Sequence, residues 1–373
     1  ALVHDMGKAI LKAVASVFPG IPDYICHFHF LRDLGKDLFD FEYRTMRRYT
    51  RGYDIGKTLK RTLKQLKATI EGDKPLTDNL ESYLTHAPVD RGKLRLDPTV
   101  AAYLLVAWII EYDSASHGLG FPFDRPHLEF YLRIKTAHPA WKRLQAQGVA
   151  ALPIATVNRL LEDRSLDKLV SRLVEKAALF DELREAMRIA EPDSHRGLND
   201  EGDDDMKTIE GRVKQFRHSE KVKTLANSDV SYRKMVKQID QYWDKLFADP
   251  IEVQTPTGNI MLQPQRTNNL LEQSFRCEKH LGRKRTGQRA LDKTLTAMLA
   301  DTPLVRNLDN PDYLHLLLQG QKHLAERFAD IDIQLVRQQE NESAARWQKY
   351  PKRMRALFKV PCLPEKIMKI ASK

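Results

Sequence analysis

The chain has 373 residues and a mass of 43.1 kDa, with 42% hydrophobic and 30% charged residues; this suits a helix-rich protein with a substantial core and excludes a disordered or fibrous one. Its 61 Lys and Arg against 50 Asp and Glu give a net charge of +11, which favours a polyanionic partner if the excess is clustered and a plain solvated basic surface if it is not. The longest apolar run, "VAAYLLVAWIIEY", has the length of a core helix rather than a membrane span, and three scattered cysteines (Cys26, Cys277, Cys362) argue against a disulfide framework and fit a reducing cytoplasm.

Residues 1–5, "ALVHD", read as the end of a strand with Asp5 at its tip. "MGKAILKAVASVF" has helical periodicity and is stopped by "FPG". "PDYICHFHF" reads as a second, buried strand, aromatic and β-branched and bounded by proline. Strand, helix and strand in so few residues predict a βαβ-like unit, which places the opening in an α/β layer. From "LRDLGKDLFDFEYRTMRRY" to about residue 248 the periodicity is 3.6 almost throughout, clearest in "TVAAYLLVAWIIEY", "LDKLVSRLVEKAALFDELREAMRIA" and "SYRKMVKQIDQYWDKLF". The breaks, such as "HGLGFPFDRP" and "EPDSHRGLNDEGDDD", are polar or Pro/Gly-rich, and the acidic one reads as a solvated loop rather than a metal site. Asp113, His117 and Asp124, around the first of these breaks, read as helix-end and loop caps, with a loop touching DNA as the sharper alternative.

"IEVQTPTGNIMLQP" alternates like two short strands around a turn and predicts a hairpin. A helix then opens in "QRTNNLLEQSFR", with Thr267 or Asn268 available as N-cap and Glu272 in its first turns. The predicted class is therefore α/β at the start with a large all-α insertion, predominantly helical overall. Four segments follow: 1–40 as the α/β part, 41–250 as the helical insertion, 251–300 as the hairpin and the Glu272 helix, and 301–373 as a basic helical extension.

The basic excess is clustered. Residues 42–67 carry nine Lys and Arg against two acids, Arg47, Arg48 and Arg51 among them, with Tyr43, Tyr49 and Tyr53 interleaved. Residues 275–289 concentrate Arg276, Lys279, Arg283, Lys284, Arg285 and Arg289 just beyond Glu272. The tail from Arg346 adds nine basic residues against one acid. One such cluster is an ordinary solvated helix face, whereas three with interleaved aromatics predict contacts to a phosphate backbone.

An acidic residue at a strand end is a common way to hold a divalent cation, but one carboxylate binds Mg²⁺ poorly, and two-metal phosphoryl transfer needs several converging on ions about 4 Å apart. Glu272, flanked by basic residues, is the best partner for Asp5 in the sequence. The ordered set Asp5, "FP", "CHFH" (Cys26-x-x-His29), a long helical segment and "TNNLLEQSFR" resembles the catalytic domain of DDE-type transposases, the Mutator-like group and related bacterial insertion-sequence transposases. The resemblance is strong over about residues 1–40 and 260–290.

The resemblance implies a ribonuclease-H-like core with two Asp and one Glu, interrupted by an all-helical insertion. On it, Asp5 corresponds to the second Asp and Glu272 to the Glu, both ligands of two Mg²⁺ or Mn²⁺ ions in a complete enzyme. Cys26 and His29 match the family's Cys-x-x-His signature, and Asn268 and Asn269 its Thr-Asn-Asn motif. It implies strand cleavage at transposon ends and strand transfer to target DNA, with double-stranded DNA as partner, a homodimer or larger assembly on it, and a bacterial or archaeal cytoplasmic, nucleoid-associated setting. The family's first Asp lies upstream of the second, hence before residue 1, so the chain as given is expected to lack one ligand and to be inactive. The alternative is a DNA-binding protein derived from such a transposase that no longer catalyses.

Cys26, His27 and His29 also raise zinc, but a tetrahedral site needs two more ligands at defined spacing; Cys277 and Cys362 have no such pairing, and the remaining histidines are scattered. On an alternating strand Cys26 and Phe28 would share one face and His27 and His29 the other. His29 would then either meet a phosphate or ligand carboxylate or simply brace the strand.

Overall fold

The computed structural model describes residues 1–86, 95–190, 205–255, 258–268 and 352–371, with single positions between 272 and 326. The chain divides into two compact units, Ala1–Asn268 with Lys352–Lys373, and Asn269–Pro351. The first is predominantly helical. Among the described residues no helix is long and apolar enough to cross a membrane.

The first unit opens with β1 (Leu2–His4), α1 (Lys8–Val17) and β2 (Asp23–Ile25), and the two strands pair in parallel from Leu2 opposite Asp23 to His4 opposite Ile25. This is the predicted βαβ unit, with one correction: the second strand is only three residues long. Cys26 is the N-cap of α2 (His27–Gly52), so "CHFHF" opens a helix instead of continuing a strand. The apolar run from Ile25 to Leu31 fits either a buried strand or a buried helix by composition. What decides is the alternative partner for the backbone: the His27 amide donates to the Arg266 carbonyl at 2.9 Å, and the next amides can then close helical turns.

The helical part follows as α3 (Ile55–Glu71), α4 (Lys74–Thr85), α5 (Pro98–Ile110), α6 (Pro126–Ala146), α7 (Ile154–Leu161), α8 (Arg164–Met187), α9 (Met206–His218), α10 (Glu220–Ser228), α11 (Val230–Gln241) and the single turn α12 (Trp243–Leu246). Aspartate begins many of these helices. Asp73, Asp97, Asp163, Asp205 and Asp229 each accept a backbone amide of the first turn, satisfying donors that a helix start leaves orphaned. α5 is apolar on every side and accordingly is buried on every side, packed by α3, α4 and α6. α2 lays Phe30, Leu34, Leu38, Phe39 and Met46 against α8 and α11.

The predicted hairpin is present as β3 (Ile251–Thr255) antiparallel to β4 (Gly258–Leu262). Near the C-terminus α13 (Lys352–Phe358) packs on α4, and α14 (Leu363–Ala371) packs on α5 and α6. Asp124 is a loop cap, its two carboxylate oxygens accepting the His117 and Gly120 amides at 2.8 Å each.

Candidate functional site

Both parallel strands end at the same edge, the edge at which ligands bind in open α/β sheets. Asp5 follows the last residue of β1 and Cys26 the last residue of β2, and the Cys26 amide extends the ladder by donating to the His4 carbonyl at 2.9 Å. Because α2 starts at once, His29 falls in its first turn, three positions after the N-cap and on the same side as Cys26. His29 Nδ1 approaches Asp5 Oδ1 to 2.8 Å. One donor atom each from Asp5, Cys26 and His29 all lie within 4.8 Å of one another. Cys26 and His29 are buried, while the Asp5 side chain is 34% exposed. The cluster is thus closed behind and open at the carboxylate.

A fourth residue arrives from the far end of the first unit. Asn268 Nδ2 donates to Asp5 Oδ1 at 2.7 Å across 263 positions of sequence. Its segment is docked by Arg266, which is buried and donates from its guanidinium to the carbonyls of Met187 at 2.8 Å and Arg188 at 3.2 Å, where α8 ends. A cation at a helix C-terminus meets both unsatisfied carbonyls and the negative end of the dipole. Thr267 is buried beside it, and Gln263 ties the preceding residues to the Ala248 carbonyl. His27 completes the support: its Nε2 donates to the Leu246 carbonyl at 2.6 Å, and its burial holds its pKa down to about 4, so the ring is neutral.

Burial pushes the Cys26 thiol above its usual range; the backbone amides of His29, Asn268 and Phe28 directed at its sulfur oppose that, and the Asp5 carboxylate adds to it. A second acid, Asp23, sits at the start of β2 and is occupied structurally. Burial would raise its pKa, but hydrogen bonds from Lys245 at 2.5 Å and His4 at 3.2 Å outweigh burial and bring it below the usual carboxylate range.

The structure therefore brings together Asp5, Cys26, His29 and Asn268. His29 meets a carboxylate, one of its two expected partners, and the Asn268 amide reaches Asp5; the start of the helix it was expected to cap lies outside the described residues. Glu272, Arg276, Lys279, Arg283 and Lys284 lie in helical backbone of the second unit and are all exposed; Asn269 and Arg285 lie outside the described residues. In the first unit Arg47, Arg48 and Arg51 are exposed on α2, and Lys36, Arg44 and Arg48 flank Phe41, itself 75% exposed, in a shallow cleft. Arg266 is a residue the sequence did not announce. A buried arginine in "PQRTNN" looks like any other basic residue of a polar segment.

Comparison with known family models, with curated proteins and with solved structures finds no match. The site's chemistry has to be read from its own atoms. Magnesium takes oxygen ligands in near-octahedral geometry. Around Asp5 the described residues offer one carboxylate, one imidazole and one thiol. That set does not by itself make a two-magnesium centre.

Proposed function

We propose that the chain is the catalytic region of a DDE-type DNA transposase built on a ribonuclease-H-like core, with Asp5 and Glu272 as carboxylates of one centre and double-stranded DNA as substrate. The observation that carries the reading is the hydrogen bond from Asn268 to Asp5, because it joins the two parts of the chain that bear the family-like motifs. Glu272 follows Asn268 by four positions within the same motif. The placement of Asp5 at the carboxyl end of a parallel strand supports the same reading.

In this role Asn268 holds the Asp5 carboxylate in one orientation, and His29 packs against it from the base of α2. Two divalent ions, when bound, would activate the attacking oxygen and stabilise the leaving one. The exposed arginines and lysines that follow Glu272, with those of α2, would grip backbone phosphates, and the helical insertion would carry DNA or a second copy of the chain.

A second reading, a DNA-binding protein of the same ancestry without catalysis, is favoured by one feature: among the described residues the metal-ligating groups clustered with Asp5 are an imidazole and a thiol rather than a second carboxylate. Both readings require DNA binding, so it is tested first. Anisotropy of a labelled duplex should show binding that weakens steeply with salt, the logarithm of affinity falling by roughly 0.9 per phosphate neutralised for each tenfold rise in salt. Changing Arg276, Lys279, Arg283 and Lys284 together to Ala should flatten that slope. A chain that binds no duplex at low salt contradicts both readings.

A further inference from the structure

We propose that Asp5, Cys26 and His29 form a binding site for a single divalent cation of the zinc class, with a water at the fourth position. The inference needs no DNA and does not rest on the transposase reading. Zinc takes sulfur, nitrogen and oxygen donors in tetrahedral geometry, and bonds of about 2.0 to 2.3 Å put neighbouring ligand atoms roughly 3.3 to 3.8 Å apart. Here one carboxylate oxygen, one thiol sulfur and one imidazole nitrogen already lie within 4.8 Å of one another. Binding would draw the three atoms in to that spacing and spread the His29–Asp5 approach, now 2.8 Å.

Three features make the cluster a built site. Two of its donors are anchored at fixed backbone positions, Cys26 at the N-cap and His29 in the first turn of a 26-residue helix whose core face is buried. Each anionic ligand has outer support: Asn268 donates to Asp5, and the amides of Phe28, His29 and Asn268 are directed at the Cys26 sulfur. Such outer hydrogen bonds orient ligands and tune a metal centre. Finally, Cys26 and His29 are 1% and 3% exposed whereas the Asp5 side chain is 34% exposed, which leaves the open side for a water ligand. Three protein ligands and one open position is the arrangement of a zinc site that can exchange its fourth ligand.

Selectivity follows from donor chemistry. Magnesium favours oxygen and sheds water reluctantly, whereas thiolate and imidazole select zinc and its neighbours in the first transition row. Binding converts the Cys26 thiol to a thiolate, its proton leaving to solvent, and the dication balances the thiolate and the Asp5 carboxylate. A zinc-class ion in this site also occupies Asp5 and so contends with magnesium for that carboxylate.

The test is a titration of the metal-free full chain with Co²⁺ in excess Mg²⁺, read by thiolate-to-cobalt charge transfer and by the visible bands of tetrahedral cobalt, then back-titrated with Zn²⁺. The expected result is one ion per chain, displaced by Zn²⁺ and not by Mg²⁺. Cys26→Ser should abolish the charge-transfer band, while Cys277→Ser and Cys362→Ser leave it. His29→Gln and Asp5→Asn should weaken binding about tenfold or more. Asp5→Asn lies at the exposed side and keeps the test valid where substitution of the buried Cys26 disturbs folding, which circular dichroism reports. No charge-transfer band in the parent chain, a band that survives Cys26→Ser, or binding indifferent to Asp5→Asn would each overturn the proposal. Failure here leaves duplex binding untouched, so it is distinguishable from failure of the transposase reading.

Discussion

His127 lies at the start of α6, and its pKa falls below the ordinary histidine value because of burial first and then because of the positive charges of Arg47 and Arg51 on α2. The unfolded chain therefore takes up this proton before the folded one does. Stability from this group is fully present above the unfolded value, about pH 6.5, and declines as pH falls below it toward the folded value. Urea denaturation across that range should show the decline, and His127→Gln should reduce it. The same ring reports on DNA: phosphates at Arg47 and Arg51 would offset their charge, so its pKa, followed by NMR, should rise on addition of a duplex. A ring that titrates identically with and without DNA would place the nucleic acid elsewhere. Residue types were legible in the sequence where chemistry marks them. Asp5, Cys26 and His29 stood out, and the structure gathers them. Arg266 did not, since nothing in a sequence separates a buried arginine that caps a helix end from an exposed one.

At the scale of elements, α2 carries the site at its first turn, and its packing on α8 fixes where that turn stands. Gly35 lies at the tightest point. A Cβ there would sit 2.5 Å from Pro122 Cγ and 2.7 Å from Phe180 Cε2, closer than packed carbons come. Alanine would gain about 1 kcal/mol of helix propensity, but overpacking of this kind costs about 1–3 kcal/mol. Gly35→Ala should therefore lower the urea midpoint rather than raise it, and a raised midpoint would mean that α2 and α8 are not this close. The helices themselves were readable because their apolar positions recur at 3.6 and aspartates stand at their starts. The β2–α2 junction was not. Its apolar run suits both periods over so few residues, and the choice is made by the Arg266 carbonyl, 239 positions away, which takes the first amide of the helix. That difference moves His29 from the face opposite Cys26 to the face it shares with it.

Across the whole molecule, the charge excess is carried by segments of both units. On α3 the side chains of Lys57, Lys60, Arg61, Lys64 and Lys67 are exposed, as are Arg353, Lys359, Lys366 and Lys369 near the C-terminus. The sequence made these clusters plain but not which of them one DNA molecule would touch together. It likewise paired Asp5 with Glu272 by motif alone, since nothing local in a sequence relates residues so many positions apart. The proposed function requires these two carboxylates to serve one metal centre. Fe²⁺ bound there in the presence of ascorbate and peroxide releases hydroxyl radicals that cut the nearby backbone, and the fragments can be mapped by mass spectrometry. Cuts are expected around Asp5 and around Glu272, with those around Glu272 suppressed by excess Mg²⁺ or Mn²⁺ and removed by Glu272→Gln. Cuts around Asp5, Cys26 and His29 with none near Glu272 would contradict the proposed function.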